Sequence, residues 1–175
     1  ADGKMHEGTW VAFPPLQREG RRLRPLTIDD WPPAWPQPRW QVGDALALAG
    51  ARVPARATAG QALEFDLRWR VRQMVDRDYT VFVHLRDATD AIVAQADAPP
   101  AWFGPAPTSG WETGEQMDAH RLPLPADLAP GVYHLVIGLY DAATGERLPV
   151  HEGTGTAMSN EIRLASVAVE PADAP

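Results

Sequence analysis

Apolar and charged side chains alternate without a break in the stretch Leu63–Val71, which reads Leu-Glu-Phe-Asp-Leu-Arg-Trp-Arg-Val. A period of two places successive side chains on opposite faces of a β-strand. The apolar face is predicted to lie in a core, and the charged face to be solvated or ion-paired. The apolar face carries Leu63, Phe65, Leu67, Trp69 and Val71. The stretch therefore predicts a strand that is buried on one side.

Similar stretches, each bounded by turn residues, recur along the chain and predict an all-β protein. Strands are expected near residues 44–52, 61–72, 78–87, 91–97, 115–124, 131–141, 146–151 and 160–170. The short links at 87–91 and 141–145 favour hairpins. About eight strands at this spacing predict two packed antiparallel sheets, which form an immunoglobulin-like or jelly-roll-like β-sandwich.

The first 40 residues depart from this pattern, because they hold seven of the 18 prolines and four of the seven tryptophans. Proline cannot occupy a helix interior, so the run at 31–40 is expected to be polyproline-like. We predict an extended arm over residues 1–42 and a sandwich domain over 43–175. The arm can dock on its own sandwich or on a neighbouring subunit. Its candidate partner-binding residues are Trp10, Phe13, Trp31, Trp35 and Trp40.

The net charge, the cysteine content and the lengths of the apolar runs exclude several classes of function and site. A formal net charge of -7 argues against nucleic acid as the main partner. The absence of cysteine excludes disulfides, thiol chemistry and cysteine-based metal sites. No apolar run of about 18 residues occurs, so no membrane span is expected. A start at Ala1 rather than Met is compatible with removal of a signal peptide, and we expect a secreted or cell-surface location.

A series of motifs follows a specific order from residue 78 to residue 149. The motifs are Asp78-Tyr-Thr-Val-Phe-Val-His-Leu-Arg-Asp87, Ile92-Val-Ala-Gln95, Pro99-Pro100, Pro107-Thr-Ser109, Trp111, Gly114-Glu115, Leu122-Pro-Leu-Pro-Ala-Asp-Leu128, Pro130-Gly-Val-Tyr133, Val136-Ile-Gly-Leu-Tyr-Asp141 and Thr144-Gly-Glu-Arg-Leu-Pro149. Over about residues 43–150 the chain resembles an uncharacterised immunoglobulin-like β-sandwich domain. In that family the domain is often the C-terminal, extracytoplasmic part of large bacterial membrane proteins, some with glycosyltransferase-like membrane regions. The resemblance implies the fold and no catalytic residues.

The longest irregular segment of the sandwich region, residues 99–114, carries three aromatic side chains that are candidate ligand-binding residues. Aromatic faces stack on sugars, and loops on a rigid scaffold are common binding sites. The three are Trp102, Phe103 and Trp111. In the alternative interpretation, Trp111 plugs one end of the sandwich and Trp102 covers a sheet edge.

Several polar groups were weighed as chemical sites, each against a structural role. Glu112, Glu115, Asp118 and His120 resemble acid–base candidates, and a solvated strand edge is the favoured interpretation. His84, His120 and His134 can in principle form a zinc site, but ordinary polar positions explain them. Asp87, Asp90, Asp141 and Glu146 can bind calcium or simply stabilise turns. Arg68, Arg70, Arg72, Arg86 and Arg163 form either a basic stripe for an anionic partner or ion pairs with acids such as Glu64 and Asp66.

No Gly-x-Ser-x-Gly motif, Walker-type phosphate-binding loop, dinucleotide fingerprint or haem motif occurs in the chain, and serines such as Ser109 and Ser159 have no placed base. We therefore predict a non-catalytic, extracytoplasmic binding or assembly module, a structural subunit of a surface complex or filament joined through its arm. A protein partner or self-association is expected, with the segment at 9–13 as a candidate donor strand, and neither a metal nor a cofactor is expected. The alternative is a carbohydrate-binding module that uses the loop aromatics.

Overall fold

The computed structural model describes residues 40–102, 104–153 and 159–172, together with two short strands nearer the N-terminus. The chain divides into two compact units, Ala1–Trp31 and Pro32–Pro175. In the first unit, strands β1 (Leu16–Glu19) and β2 (Arg22–Pro25) pair as an antiparallel hairpin. Part of the segment that was predicted to be an extended arm is therefore a β-hairpin.

The second unit is a β-sandwich of two five-stranded sheets, which confirms the predicted fold. Its strands are β3 (Trp40–Val42), β4 (Leu46–Arg52), β5 (Arg56–Thr58), β6 (Ala62–Val71), β7 (Tyr79–Arg86), β8 (Ile92–Ala98), β9 (Gly114–Pro123), β10 (Gly131–Asp141), β11 (Val150–Glu152) and β12 (Ile162–Glu170). The first sheet has the order β11-β3-β4-β6-β9, and the second has the order β5-β12-β10-β7-β8. All neighbours pair antiparallel except β5 and β12, which are parallel. Within the described ranges, no helix has the length and apolar character needed to cross a membrane.

Two strands of the sandwich, β3 and β5, were not predicted, because three residues are too few to show an alternating pattern. Strand β3 begins at Trp40, so the sandwich includes residues that were assigned to the arm. Trp40 pairs with Leu48 of β4 and packs, partly buried, against the core of its own sandwich. The other partner-binding candidates of the arm, Trp10, Phe13, Trp31 and Trp35, lie outside the described residues, as does the candidate donor segment 9–13.

The core between the sheets is built as the alternating pattern of β6 predicts. All five apolar side chains of its inner face are buried. Trp69 is fully buried, and its ring centroid lies 6.4 Å from that of Trp111. The inner face of the second sheet contributes alternating residues of β7 and β10 to the same cluster, namely Val81, Val83, Leu85, Leu135, Ile137 and Leu139.

The middle of the second sheet is also covered on its outer face. The Phe82 ring lies flat over Gly138 of the neighbouring strand, where a Cβ atom would be only 2.4 Å from the ring. The guanidinium of Arg147 lies 4.0 Å from the Phe82 ring centroid, and Arg86 donates two hydrogen bonds, of 2.9 and 2.8 Å, to the carboxylate of Glu161. Strand β7 is therefore buried on both faces, which explains its nearly continuous apolar sequence.

Trp69→Ala is expected to lower the free energy of unfolding by about 3–5 kcal/mol, because it removes a fully buried aromatic side chain. Arg70→Ala, one position along and on the opposite face, is expected to lower the free energy of unfolding by less than about 1 kcal/mol. Its ion pair with Glu115 is partly exposed, and Arg68 also bonds that carboxylate. Urea denaturation of both variants measures the difference, and equal losses would contradict the assignment of the two faces.

Candidate binding site

The connection from β8 to β9 passes from the edge of the second sheet to the edge of the first. Its segment 99–110, which we call the proline loop, contains Pro99, Pro100, Pro105 and Pro107 and ends in one turn of 3-10 helix, Thr108–Gly110. Proline fixes φ and reduces the number of conformations open to a loop. The loop therefore has a stiff backbone, and its position depends on how it is attached to the sandwich.

A buried carboxylate attaches the first half of the proline loop. Asp118 of β9 is fully buried and lies on the inner face, because it pairs with the core residue Leu67. Its Oδ2 accepts a hydrogen bond from the Trp69 indole at 3.1 Å and lies 2.7 Å from Nε2 of His120. Its Oδ1 accepts the backbone N–H of Ala101 at 3.1 Å. One carboxylate thus joins the core of the first sheet to the loop.

Backbone bonds reinforce this attachment. The N–H of Ala119 donates to the carbonyl of Ala101 at 2.7 Å, so the loop continues the hydrogen bonding of β9 on its open side. Within the loop, the N–H of Trp102 donates to the carbonyl of Gly104, and the N–H of Ala106 donates to that of Pro100. The first half of the loop is therefore held as a folded unit against the edge of the first sheet.

The second half of the loop is fastened to the start of β7. The fully buried Thr108 donates its hydroxyl to the carbonyl of Arg77 and accepts the N–H of Tyr79, both at 2.8 Å. The N–H of Ser109 donates to the carboxylate of Asp78 at 3.0 Å. Hydrogen bonds from the Ser109 side chain and backbone lower the pKa of Asp78 below its ordinary value of 3.8, and this exposed carboxylate is ionised at neutral pH.

The fastened loop forms the wall of an open apolar cleft of about 610 Å³. Its lining consists of Asp78 and the loop residues Pro99, Pro100, Ala101, Gly104, Pro105, Ala106 and Pro107. Asp78 supplies the only charged side chain among these lining residues. A rigid apolar cleft of this kind is suited to one apolar side chain or ring rather than to a ligand that needs many hydrogen bonds.

The structure describes two of the three aromatic residues predicted as ligand-binding. Trp111 is buried beside Trp69, with 3% of its surface exposed, which matches the alternative interpretation that it plugs the sandwich. Trp102 is half-buried in the proline loop. Phe103 lies outside the described residues.

Asp118 and His120 were expected on a solvated strand edge, and the structure places both in the core. Their even spacing correctly puts them on one face, but this is the inner face, where His120 also stacks on Phe65 with ring centroids 5.5 Å apart. Signals for their burial existed in the sequence, because Leu122 shares their parity along β9. The charged Arg121 lies on the opposite parity and agrees with this assignment, but the apolar Met117 lies there too, so the pattern was ambiguous.

The histidines that were weighed as a zinc site are separated by the two sheets. His120 faces the core from the first sheet, whereas His84 and His134 lie on neighbouring strands of the second. The Nδ1 atom of His134 lies 3.2 Å from the hydroxyl of Ser166. Among the described residues, no group of three or more His, Cys, Asp or Glu side chains can hold a metal ion.

The acidic residues of the two hairpins stabilise turns. Asp87 accepts hydrogen bonds from the Thr89 N–H and hydroxyl and from the Ala91 N–H, and these bonds lower its pKa. Asp141 accepts a hydrogen bond from the N–H of Ala143 and forms an ion pair with Arg77. These contacts are the structural role that was set against calcium binding.

The predicted basic stripe does not form, because Arg68 and Arg70 belong to the first sheet and Arg86 to the second. Arg68 and Arg70 both bond to Glu115 of β9, and Arg86 bonds to Glu161. Partial burial raises the pKa of Glu115, but the hydrogen bonds from the two arginines outweigh this effect and lower it overall. Arg68, Arg70 and Arg86 therefore form ion pairs with neighbouring acids, which is the alternative to a basic stripe.

A second concave surface, a groove of about 770 Å³, lies mainly on the first sheet and also includes Arg56, Ala57 and Thr58 of β5 in the second sheet. Arg52 bonds to Asp66 across β4 and β6, and Arg121 lies 3.6 Å from Glu64 across β9 and β6. The two pairs place a donor and an acceptor side by side in the groove, whereas Arg56, the third arginine of the lining, pairs with Glu170 outside it.

No protein-family model matches the chain, and no curated protein sequence matches it. Among solved structures, the C-terminal domain of wzt is similar, with a TM-score of 0.52 and 14% sequence identity over 84% of this chain and 90% of that chain. The CARDB domain of a Pyrococcus furiosus protein in complex with di-metal ions matches with a TM-score of 0.38 and 13% identity, over 75% and 93% of the two chains. The first similarity shows a shared β-sandwich fold; the second is too distant to support an argument.

Asp118→Ala is expected to lower the free energy of unfolding by about 3–5 kcal/mol, because the Trp69 indole and the Ala101 N–H lose their buried acceptor. Hydrogen exchange at the amides of Ala101 and Ala119 is expected to accelerate, since the loop loses its attachment. Arg121→Ala on the exposed face of the same strand is the control and should change neither quantity. Unchanged exchange in Asp118→Ala would show that the loop does not depend on this carboxylate.

Stability is expected to fall as the pH drops below 6.5, the ordinary pKa of histidine. Burial, followed by the nearby charge of Arg86, lowers the pKa of His84 in the folded state, so the unfolded chain binds the extra proton first. Thermal melting between about pH 5 and 7 measures the slope, which should be smaller in His84→Gln. His134→Gln, on the same outer face, is the control, and an identical slope in His84→Gln and the parent protein would contradict the assignment.

Proposed function

We propose that the protein is a non-catalytic binding module of an extracytoplasmic assembly, in which the cleft beside the proline loop receives an apolar side chain of a protein partner. One observation carries the proposal: an open apolar cleft is held in shape by a loop that bonds to the core through Ala101 and to the start of β7 through Thr108 and Ser109. A surface that is already ordered loses little conformational entropy when it binds. The extracytoplasmic location rests on the family resemblance of residues 78–149.

Three of the four polar side chains that were candidates for catalysis support a binding role, because Asp118, His120 and Glu115 bond to other parts of the fold. Asp118 and His120 bond to each other in the core, and Glu115 bonds to two arginines. A general acid or base must reach the substrate and exchange a proton with it. The structural bonds of Asp118 and its complete burial leave no such access.

The proposed occupant of the cleft is an aromatic side chain from the N-terminal arm of a neighbouring copy. The arm supplies Trp10, Phe13, Trp31 and Trp35, and proline and alanine walls offer close contact to a flat ring. The arm also carries four arginines between residues 18 and 24, which complement the ionised Asp78 at the cleft.

Glycan binding is a second candidate, and the groove on the first sheet favours it. A sugar hydroxyl both donates and accepts hydrogen bonds, so it can bond at once to the carboxylate and the guanidinium of a neighbouring pair. The pairs Arg52–Asp66 and Arg121–Glu64 provide this arrangement. The cleft itself is less suited to a sugar, because its lining offers one carboxylate and no amide or hydroxyl side chain.

Two variants of the full chain test the arm and the cleft separately. The double variant Trp31→Ala, Trp35→Ala removes two candidate rings, and Ala106→Trp fills the cleft. Each is expected to weaken association by roughly tenfold or more, because central aromatic contacts carry most of the binding energy of an interface. Light scattering over a range of protein concentrations measures the average mass.

Ala142→Trp, in the exposed hairpin turn, adds the same ring away from the cleft and is the matched control; its mass should equal that of the parent protein. A monomeric parent protein, or equal masses in all variants, would overturn the proposed occupant. Equal masses combined with specific hits on a glycan array would favour the second candidate instead.

A further inference from the structure

The two sheets have four edge strands, and three of them are protected against pairing with another chain. Strands β5 and β11 contain only three residues each. Strand β9 has ten residues, but Ala101 of the proline loop bonds to Ala119 on its open side. Short edges and covered edges are two of the devices by which proteins avoid edge-to-edge association.

The fourth edge, β8, lacks these devices over most of its length. Its seven residues read Ile-Val-Ala-Gln-Ala-Asp-Ala, without Lys, Arg or Pro. The register with β7 shifts between Leu85 and Arg86, which places a bulge at Val93, and the pairing is regular from Ala94 to Ala98. In the part of the chain that the structure describes, β8 pairs with β7 alone. A regular five-residue edge therefore presents backbone donors and acceptors to a partner strand.

We propose that this edge pairs with β8 of a second copy of the chain, antiparallel and about a two-fold axis at Ala96. Opposed residues of an antiparallel pair point to the same face. With the axis at Ala96, Ala94 opposes Ala98 of the second copy, and Gln95 opposes Asp97 of the second copy. The pairing would join the two second sheets into one continuous sheet of ten strands.

The side chains of the edge are complementary to themselves in this register. Ala94 and Ala96 pack toward the core, whereas Gln95 and Asp97 are exposed. The Gln95 amide can donate to the Asp97 carboxylate of the second copy, and the two-fold axis repeats this bond. The Tyr140 hydroxyl bonds to the same carboxylate, but a carboxylate has about four acceptor positions.

This reciprocity favours a second copy over an unrelated strand. Like charges destabilise a strand pair when they lie directly opposite each other. In this register the two Asp97 carboxylates lie diagonal to each other, so this repulsion is avoided. A two-fold contact uses the same surface on both subunits, so one strand has to satisfy only its own pattern. Residues 94–98 read Ala-Gln-Ala-Asp-Ala, so a two-fold axis at the central Ala96 pairs alanine with alanine and glutamine with aspartate.

Sedimentation of the full chain over a range of concentrations tests the proposal, with two substitutions of opposite effect at one position. Gln95→Glu places like charges directly opposite each other twice and is expected to raise the dissociation constant roughly tenfold. In Gln95→Lys the new ammonium group faces the Asp97 carboxylate of the second copy. This substitution is expected to leave the dissociation constant unchanged or to lower it. A lysine on an edge that binds an unrelated strand would instead weaken association.

Gln61→Glu adds the same charge in an exposed turn remote from β8 and is the matched control. Circular dichroism confirms that each variant is folded, and amide exchange in residues 94–98 should slow as the concentration rises. A protein that stays monomeric, or a dimer that neither Gln95 substitution changes, would overturn the proposal. The arm is intact in these variants, and β8 is intact in Trp31→Ala, Trp35→Ala, so failure of one contact is distinguishable from failure of the other.

Discussion

The structure depends on one buried carboxylate, that of Asp118. A polar side chain buried in a protein costs free energy unless it is hydrogen-bonded. Here the partners come from three parts of the fold: the Trp69 indole of β6, the His120 ring of β9 and the Ala101 N–H of the proline loop. Because these contacts converge on one buried side chain, Asp118 fixes the loop relative to the core. The side of the sandwich between β8 and β9 is thereby closed.

This closure determines which surfaces remain for binding. The loop covers the edge of β9 through Ala101 and, in the same position, forms the apolar cleft. The edge of β8 lies on the other side of that connection and stays uncovered among the described residues. An arm that binds the cleft of the next copy is a heterologous contact and can continue without limit, whereas an edge pair about a two-fold axis closes on itself. Together the two proposed contacts would generate a chain of dimers.

The fold was predictable from the sequence where an alternating pattern extends over several of its two-residue repeats. Nine residues of β6 alternate, and the structure buries the apolar set as predicted. Three-residue strands such as β3 carry no measurable period, and prolines at 32–38 concealed where the sandwich begins. Asp118 was misplaced because alternation identifies which side chains share a face but not which face is inside. The burial of an acid is decided by partners that are distant in sequence, here Trp69 and Ala101.

The two proposed contacts differ in the source of their specificity. Backbone bonds along β8 are available to any extended strand, so they supply affinity without selecting a partner. Selection must then come from the side chains, and Gln95 and Asp97 fix both the partner and the register, because a shift by one residue would oppose side chains of different faces. In the cleft, side chains supply both the affinity and the selectivity. The apolar walls select the shape of the bound side chain, and the ionised Asp78 adds a preference for a basic segment. A subunit with one contact of each kind can distinguish its own copies from other β-proteins, which an unprotected edge by itself cannot do.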